Sequence, residues 1–179
     1  MQTKKITISG LLITIGVLLP IIFHHIPGNL GPVMLPIHYS AFIAGGLLGP
    51  IAGMIVGSLT PVISHLLTGM PVNPVFIYIS FETFTYGLLF GCLYQKLKYN
   101  IYFSLVTAMI FGRLANILGN FIIADIIFSS SAMPFKIINS LNNFTVGLIG
   151  AFIQIIIIPI IIYRVRQTIS LEGLGGQNV

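Results

Sequence analysis

Apolar residues run along the chain in six long blocks, separated by short stretches rich in Pro, Gly, Asn and Lys. The blocks fall at about 5–23, 33–48, 50–67, 75–94, 101–123 and 144–163, and each reads as a membrane-spanning helix. The pattern changes character between Leu35 and Pro71. This stretch is apolar, yet Pro36, Pro50, Pro61 and Pro71 punctuate it. A single helix of that length, at ~1.5 Å per residue, overshoots a ~30 Å hydrocarbon core. Pro50 biases Gly49 away from the α region and suits the first turn of a new helix, so two helices with a tight bend are expected. Small residues recur every four positions on both: Ala41, Gly45 and Gly49, then Gly49, Gly53 and Gly57. That spacing predicts a groove on each helix and close helix packing.

Composition agrees with the membrane reading. Only 6% of the residues are charged and the mean hydropathy is +1.03, whereas a soluble domain carries about 25% charged residues. The predicted class is an all-α integral membrane protein, six helices in one bundle spanning residues 1–179. The net charge of +5 belongs to short clusters beside apolar blocks rather than to a nucleic-acid surface. Lys4, Lys5, Lys96, Lys98, Arg164 and Arg166 all fall on the side of the termini, and Lys136 falls on the other. The positive-inside rule then places both termini in the cytoplasm. Connections 24–36, 68–74 and 125–143 are expected outside, where loops carry binding function. The Lys4-Lys5 start lacks a small-residue cleavage site and reads as an uncleaved first span. Cys92 is the single cysteine, so no internal disulfide and no cysteine metal site is expected.

Charges inside the spans demand partners. Arg113 is expected ~18 Å deep in the fifth span, and Glu82 at similar depth in the antiparallel fourth. Asn116 and Asn120 follow Arg113 on one helix face, and Tyr78 and Tyr86 flank Glu82 one turn away on either side. Two readings stay open: a structural ion pair, or a polar ligand site in which the planar fork of Arg113 takes a carboxylate. Gln154, mid-span, needs a partner of its own. His24, His25, His38 and His65 have no metal-binding spacing, so no metal or cofactor is expected, and His38 is assigned to ligand or loop contact. Ser64 and His65 point apart on a helix and give no nucleophile–base pair, so catalysis is not expected.

The elements LPIH (Leu35–His38), LTGMP (Leu67–Pro71), FETFTYG (Phe81–Gly87) and Gly112-Arg113 carry a resemblance. Over about residues 3 to 166 the chain resembles the substrate-binding S components of energy-coupling-factor transporters, most closely the pantothenate-type group. The resemblance implies a cell-membrane importer subunit that binds a small vitamin at the outer face. It implies a scaffold (T) subunit and two ATPases as partners, and a binding subunit that topples in the membrane to release its cargo inside. Pantothenate is the expected ligand, with Arg113, Glu82, Asn116, Asn120, Tyr86 and His38 around it. Family members use an Ala-x-x-x-Ala spacing on the first span for scaffold docking. Here the nearest equivalents are Gly10 and Thr14, with Ser9 and Gly16 nearby. The competing classes are a different vitamin, a self-sufficient carrier or channel, and a membrane enzyme.

Overall fold

Proline at position 50 removes a backbone donor, and the fold is built around that loss. In the computed structural model, which describes residues 2–24, 34–127 and 133–168, helix α2 (Pro36–Leu48) stops at Gly49, which adopts φ 100°. Helix α3 (Pro50–Thr68) starts at once, with the Gly53 amide donating to Gly49 at 3.0 Å. A β-carbon at Gly49 would meet nothing within 4 Å. Gly49 therefore makes the turn rather than a packing contact, because an L side chain disfavours that φ. The Gly46 carbonyl, whose helical donor would be the missing Pro50 amide, is instead capped by Gln95 Nε2 at 2.5 Å and Arg166 Nη2 at 3.1 Å. The Arg166 guanidinium also lies 4.9 Å over the Tyr94 ring.

Helix α4 (Val75–Phe90) continues as a π-helical turn over Gly91–Lys96. Asn100 then caps α5 (Ile101–Ile127), its Oδ1 accepting from the Tyr102 amide at 2.9 Å. Helix α6 spans Met133–Thr168 and α1 spans Gln2–His24. The polar connection expected at 125–143 is corrected: α5 reaches Ile127 and α6 begins at Met133. Pro134 suits a first turn, and Phe135, Ile138, Leu141 and Thr145 repeat at helical spacing. The connection 24–36 lies mostly outside the described residues, as do the side chains of His24, His25 and Asp125.

Close packing comes from small residues on three helices. A β-carbon on Gly45 or Gly53 would stand 2.6 or 2.5 Å from the Gly87 carbonyl oxygen, and one on Gly57 would strike the Thr83 carbonyl. These are backbone atoms that cannot step aside. The matching face of α4 is Thr83, Gly87 and Gly91, again spaced by four. Thr83 adds a cross-helix hydrogen bond to the Gly57 carbonyl at 2.6 Å. On α1, Gly16 faces inward against Ser40 and Thr60. Phe42, Phe90, Leu105, Ile158 and Ile162 close the core.

The outward surface is apolar. Ile6, Leu118 and Phe152 are 71%, 62% and 69% exposed, a pattern that suits lipid rather than water. Among the described residues, five helices are long and apolar enough to cross a membrane. Helix α2 has 13 residues, about 20 Å of rise, and is not one of the five.

Candidate functional site

Glu82 sits one turn from Tyr86 on α4 and is 1% exposed. Its two oxygens collect partners from three helices. Oε1 accepts the Tyr86 hydroxyl at 2.5 Å and pairs with Arg113 Nη1 at 3.1 Å. Oε2 accepts Asn116 Nδ2 at 2.7 Å and lies 3.5 Å from His38 Nε2. A carboxylate has about four acceptor positions; Tyr86, Asn116 and Arg113 fill three, and His38 Nε2 borders the carboxylate at 3.5 Å without a hydrogen bond. The buried charge is thus compensated within the protein, which is the condition for keeping an ion in a low-dielectric interior.

Glycines make that geometry possible. Gly112 leaves the space that the Tyr86 ring fills, so the ring lies against α5 and its hydroxyl reaches Glu82. Gly147 on α6 does the same for Arg113: a β-carbon there would collide with Nη2. The Tyr86 ring is held on its other face by Phe42, stacked at 4.6 Å, and approached by His38 at 5.4 Å. His38 itself is fixed by its Nδ1, which donates to the Leu35 carbonyl at 3.2 Å, and that carbonyl also meets Gln154 Nε2 at 3.4 Å. Leu35 takes a left-handed conformation, φ 49°, which turns its carbonyl toward both donors.

Two buried nitrogens of this cluster, His38 Nε2 and Arg113 Nη2, have no hydrogen-bond partner among the described residues. An unpaired guanidinium donor in such a place costs free energy unless something else accepts from it. The arrangement can therefore hold a small anionic or carbonyl group beside Arg113 while Glu82 fixes the guanidinium plane. Asn120, one turn beyond Asn116, is half-buried.

His38, which the sequence assigns to ligand or loop contact, lies 3.5 Å from the Glu82 carboxylate, and the 68–74 loop follows α3. The loop is held by other groups. Ser64 Oγ donates to the Met70 carbonyl at 2.7 Å, and His65 Nδ1 donates to the Pro71 carbonyl at 2.8 Å. The His65 ring stacks on Phe76 at 4.1 Å. The Met70-Pro71 and Asn73-Pro74 peptide bonds are cis. Ser64 and His65 thus each serve the loop. No group of three metal-ligating side chains occurs among the described residues. Gly10 and Thr14 lie exposed on α1, and Thr14 Oγ1 donates to the Gly10 carbonyl at 3.0 Å, so that face is small and internally satisfied. Thr3 and Thr7 extend the same stripe, with Thr7 bonded to the Thr3 carbonyl at 3.0 Å. The 3-7-10-14 spacing was available in the sequence as the signal for Thr7.

No curated protein and no solved structure matches the chain. A family model described as the ECF transporter, substrate-specific component, matches residues 4–165. With that match covering nearly all of a multi-pass helical chain, the protein belongs to the family of substrate-specific components of ECF transporters.

Proposed function

We propose that this subunit binds a small carboxylate vitamin, pantothenate, on the outer side of the bundle, and that Arg113 receives the carboxylate. The observation that carries the reading is the unpaired Nη2 of Arg113, buried while its Nη1 pairs with Glu82. A carboxylate that accepts from it forms a charge-assisted hydrogen bond in an apolar setting, worth about 1.5–3 kcal/mol. Glu82 acts as the positioning residue, because Tyr86, Asn116 and Arg113 already hold its carboxylate. Tyr86 and Asn116 hold Glu82, and His38 and Asn120 border the ligand's amide and hydroxyl groups.

The cargo reaches the cytoplasm through a scaffold subunit and two ATPases. The exposed stripe of Thr3, Thr7, Gly10 and Thr14 on α1 is the surface offered to the scaffold. Both termini lie in the cytoplasm, with α2 counted as the sixth crossing. The basic residues at the chain ends and in 96–98 support that orientation.

The test is to purify the protein in detergent, identify the co-purifying small molecule by mass spectrometry, and titrate pantothenate by calorimetry. Co-purification and saturable binding of pantothenate support the reading. A different vitamin without a carboxylate, bound in its place, would overturn the assignment of Arg113.

A further inference from the structure

A furrow of about 420 Å³ runs along the outside of the bundle between α1, α2 and α6, on a different side of α1 from the Gly10–Thr14 stripe. Its wall is apolar throughout, built by Ile8, Leu12 and Ile15 of α1, Ile43 and Leu47 of α2, and Ile161 of α6. From Ile8 to Leu19 it follows α1 for about 16 Å, a length that suits an extended acyl chain. A convex helix surface touches lipid on one side only. This concave slot surrounds a chain on three sides, and left unfilled it loses those dispersion contacts.

Charge marks one end of the furrow. Lys4 and Lys5 precede Ile8 by one helical turn and so share its face of α1. Arg164 follows Ile161 by three residues on α6. Lys4 and Arg164 are exposed. The three acidic residues of the chain are Glu82, Asp125 and Glu172, and none belongs to α1, α2 or α6. We propose that the furrow is a binding site for an anionic glycerophospholipid, with one acyl chain in the slot and the phosphate at Lys4, Lys5 and Arg164. Neither the vitamin reading nor the orientation of the termini enters this inference.

The chain contains no tryptophan, which makes a direct test available. Ile15→Trp places a fluorophore on the furrow wall, and Ile6→Trp places one on the opposite, 71% exposed face. Both full-length variants are reconstituted in phosphatidylcholine vesicles and titrated with brominated phosphatidylglycerol or brominated phosphatidylcholine. The Ile15→Trp emission should be quenched at a clearly lower fraction of the anionic lipid, with no such preference for Ile6→Trp. Adding Lys4→Gln should weaken the preference about fivefold. Equal quenching by both lipids at Ile15→Trp overturns the proposal. So does the absence of quenching by either, which means that a protein helix fills the furrow. If Ile15→Trp does not fold, native mass spectrometry of the unmodified protein from an equimolar mixture of the two lipids decides. Retained phosphatidylglycerol that is lost in Lys4→Gln/Lys5→Gln supports the site, and indifference to headgroup overturns it.

Discussion

Arg113 and Gly147 stand so close that a single methyl group would separate the helices carrying them. The Arg113 Nη2 lies where a β-carbon of residue 147 would be built. Helix α6 thus covers the same guanidinium that Glu82 grips from α4 at 3.1 Å. The contact explains why Arg113 is only partly exposed, its side chain at 16%. Gly147→Ala should displace Nη2 and weaken ligand binding about tenfold or more, while the helical signal is retained. Calorimetry on the folded variant, with circular dichroism as the control, checks this. Unchanged affinity would show that Nη2 does not face ligand.

The glycine seam between α2, α3 and α4 predicts a graded stability series. Gly57→Leu and Gly87→Leu force a side chain against backbone carbonyls and should lower stability by about 1–3 kcal/mol or prevent assembly. Gly10→Leu meets nothing within 4 Å and should leave the melting temperature unchanged. Thermal unfolding in detergent separates the three. Equal loss in all of them would place the seam elsewhere.

Much of this architecture is readable from residue order. Gly49-Pro50 announces the bend because proline lacks a donor and glycine tolerates positive φ. Glu82 and Arg113 stand out because ions inside apolar blocks need partners, and the structure pairs them. Other features depend on three-dimensional register. Nothing in the sequence says that Gly112 lies under Tyr86, that Gly147 lies over Arg113, or that Gln95 and Arg166 supply the donors that the Gly46 carbonyl lacks. The α4 seam of Thr83, Gly87 and Gly91 does have a visible four-residue period, overshadowed by the richer pattern on α2 and α3. The polar residues of 133–143 mislead because Asn and Lys suggest a loop, whereas the apolar positions among them keep the helical period.

Orientation has its own test. In a Cys92→Ala background, a cysteine at Asn29 should react with an impermeant maleimide added to intact cells. A cysteine at Asn100, next to Lys96 and Lys98, should react only after permeabilisation. The reverse pattern would turn the bundle over and leave the glycine seam and the Glu82 cluster intact.

A binding subunit without an engine should bind but not pump. Purified alone into liposomes, the protein should take up no pantothenate above the leak of empty vesicles. Adding scaffold and ATPase subunits with ATP should start uptake. Uptake by the isolated chain at the rate of the full complex would instead make it a self-sufficient carrier.

The last prediction separates the two jobs that Arg113 could hold. Its Nη1 bond to Glu82 is a structural ion pair, and its Nη2 is the donor assigned to ligand. Arg113→Met alone leaves the Glu82 carboxylate buried without its cation and should cost about 3–5 kcal/mol, enough to confuse any binding measurement. Glu82→Met alone strands the guanidinium in the same way. The double variant Arg113→Met/Glu82→Met removes both charges and replaces them with flexible apolar side chains of similar bulk, so much of the lost stability should return. If the pair is only structural, this double variant recovers pantothenate binding along with stability. If Arg113 receives the carboxylate, the double variant is folded and loses about 10- to 100-fold in affinity, the loss of one charge-assisted contact. Thermal unfolding establishes the recovery and calorimetry reads the affinity. Tight binding by a stable double variant would remove Arg113 from the ligand site and leave it as the lock between α4 and α5.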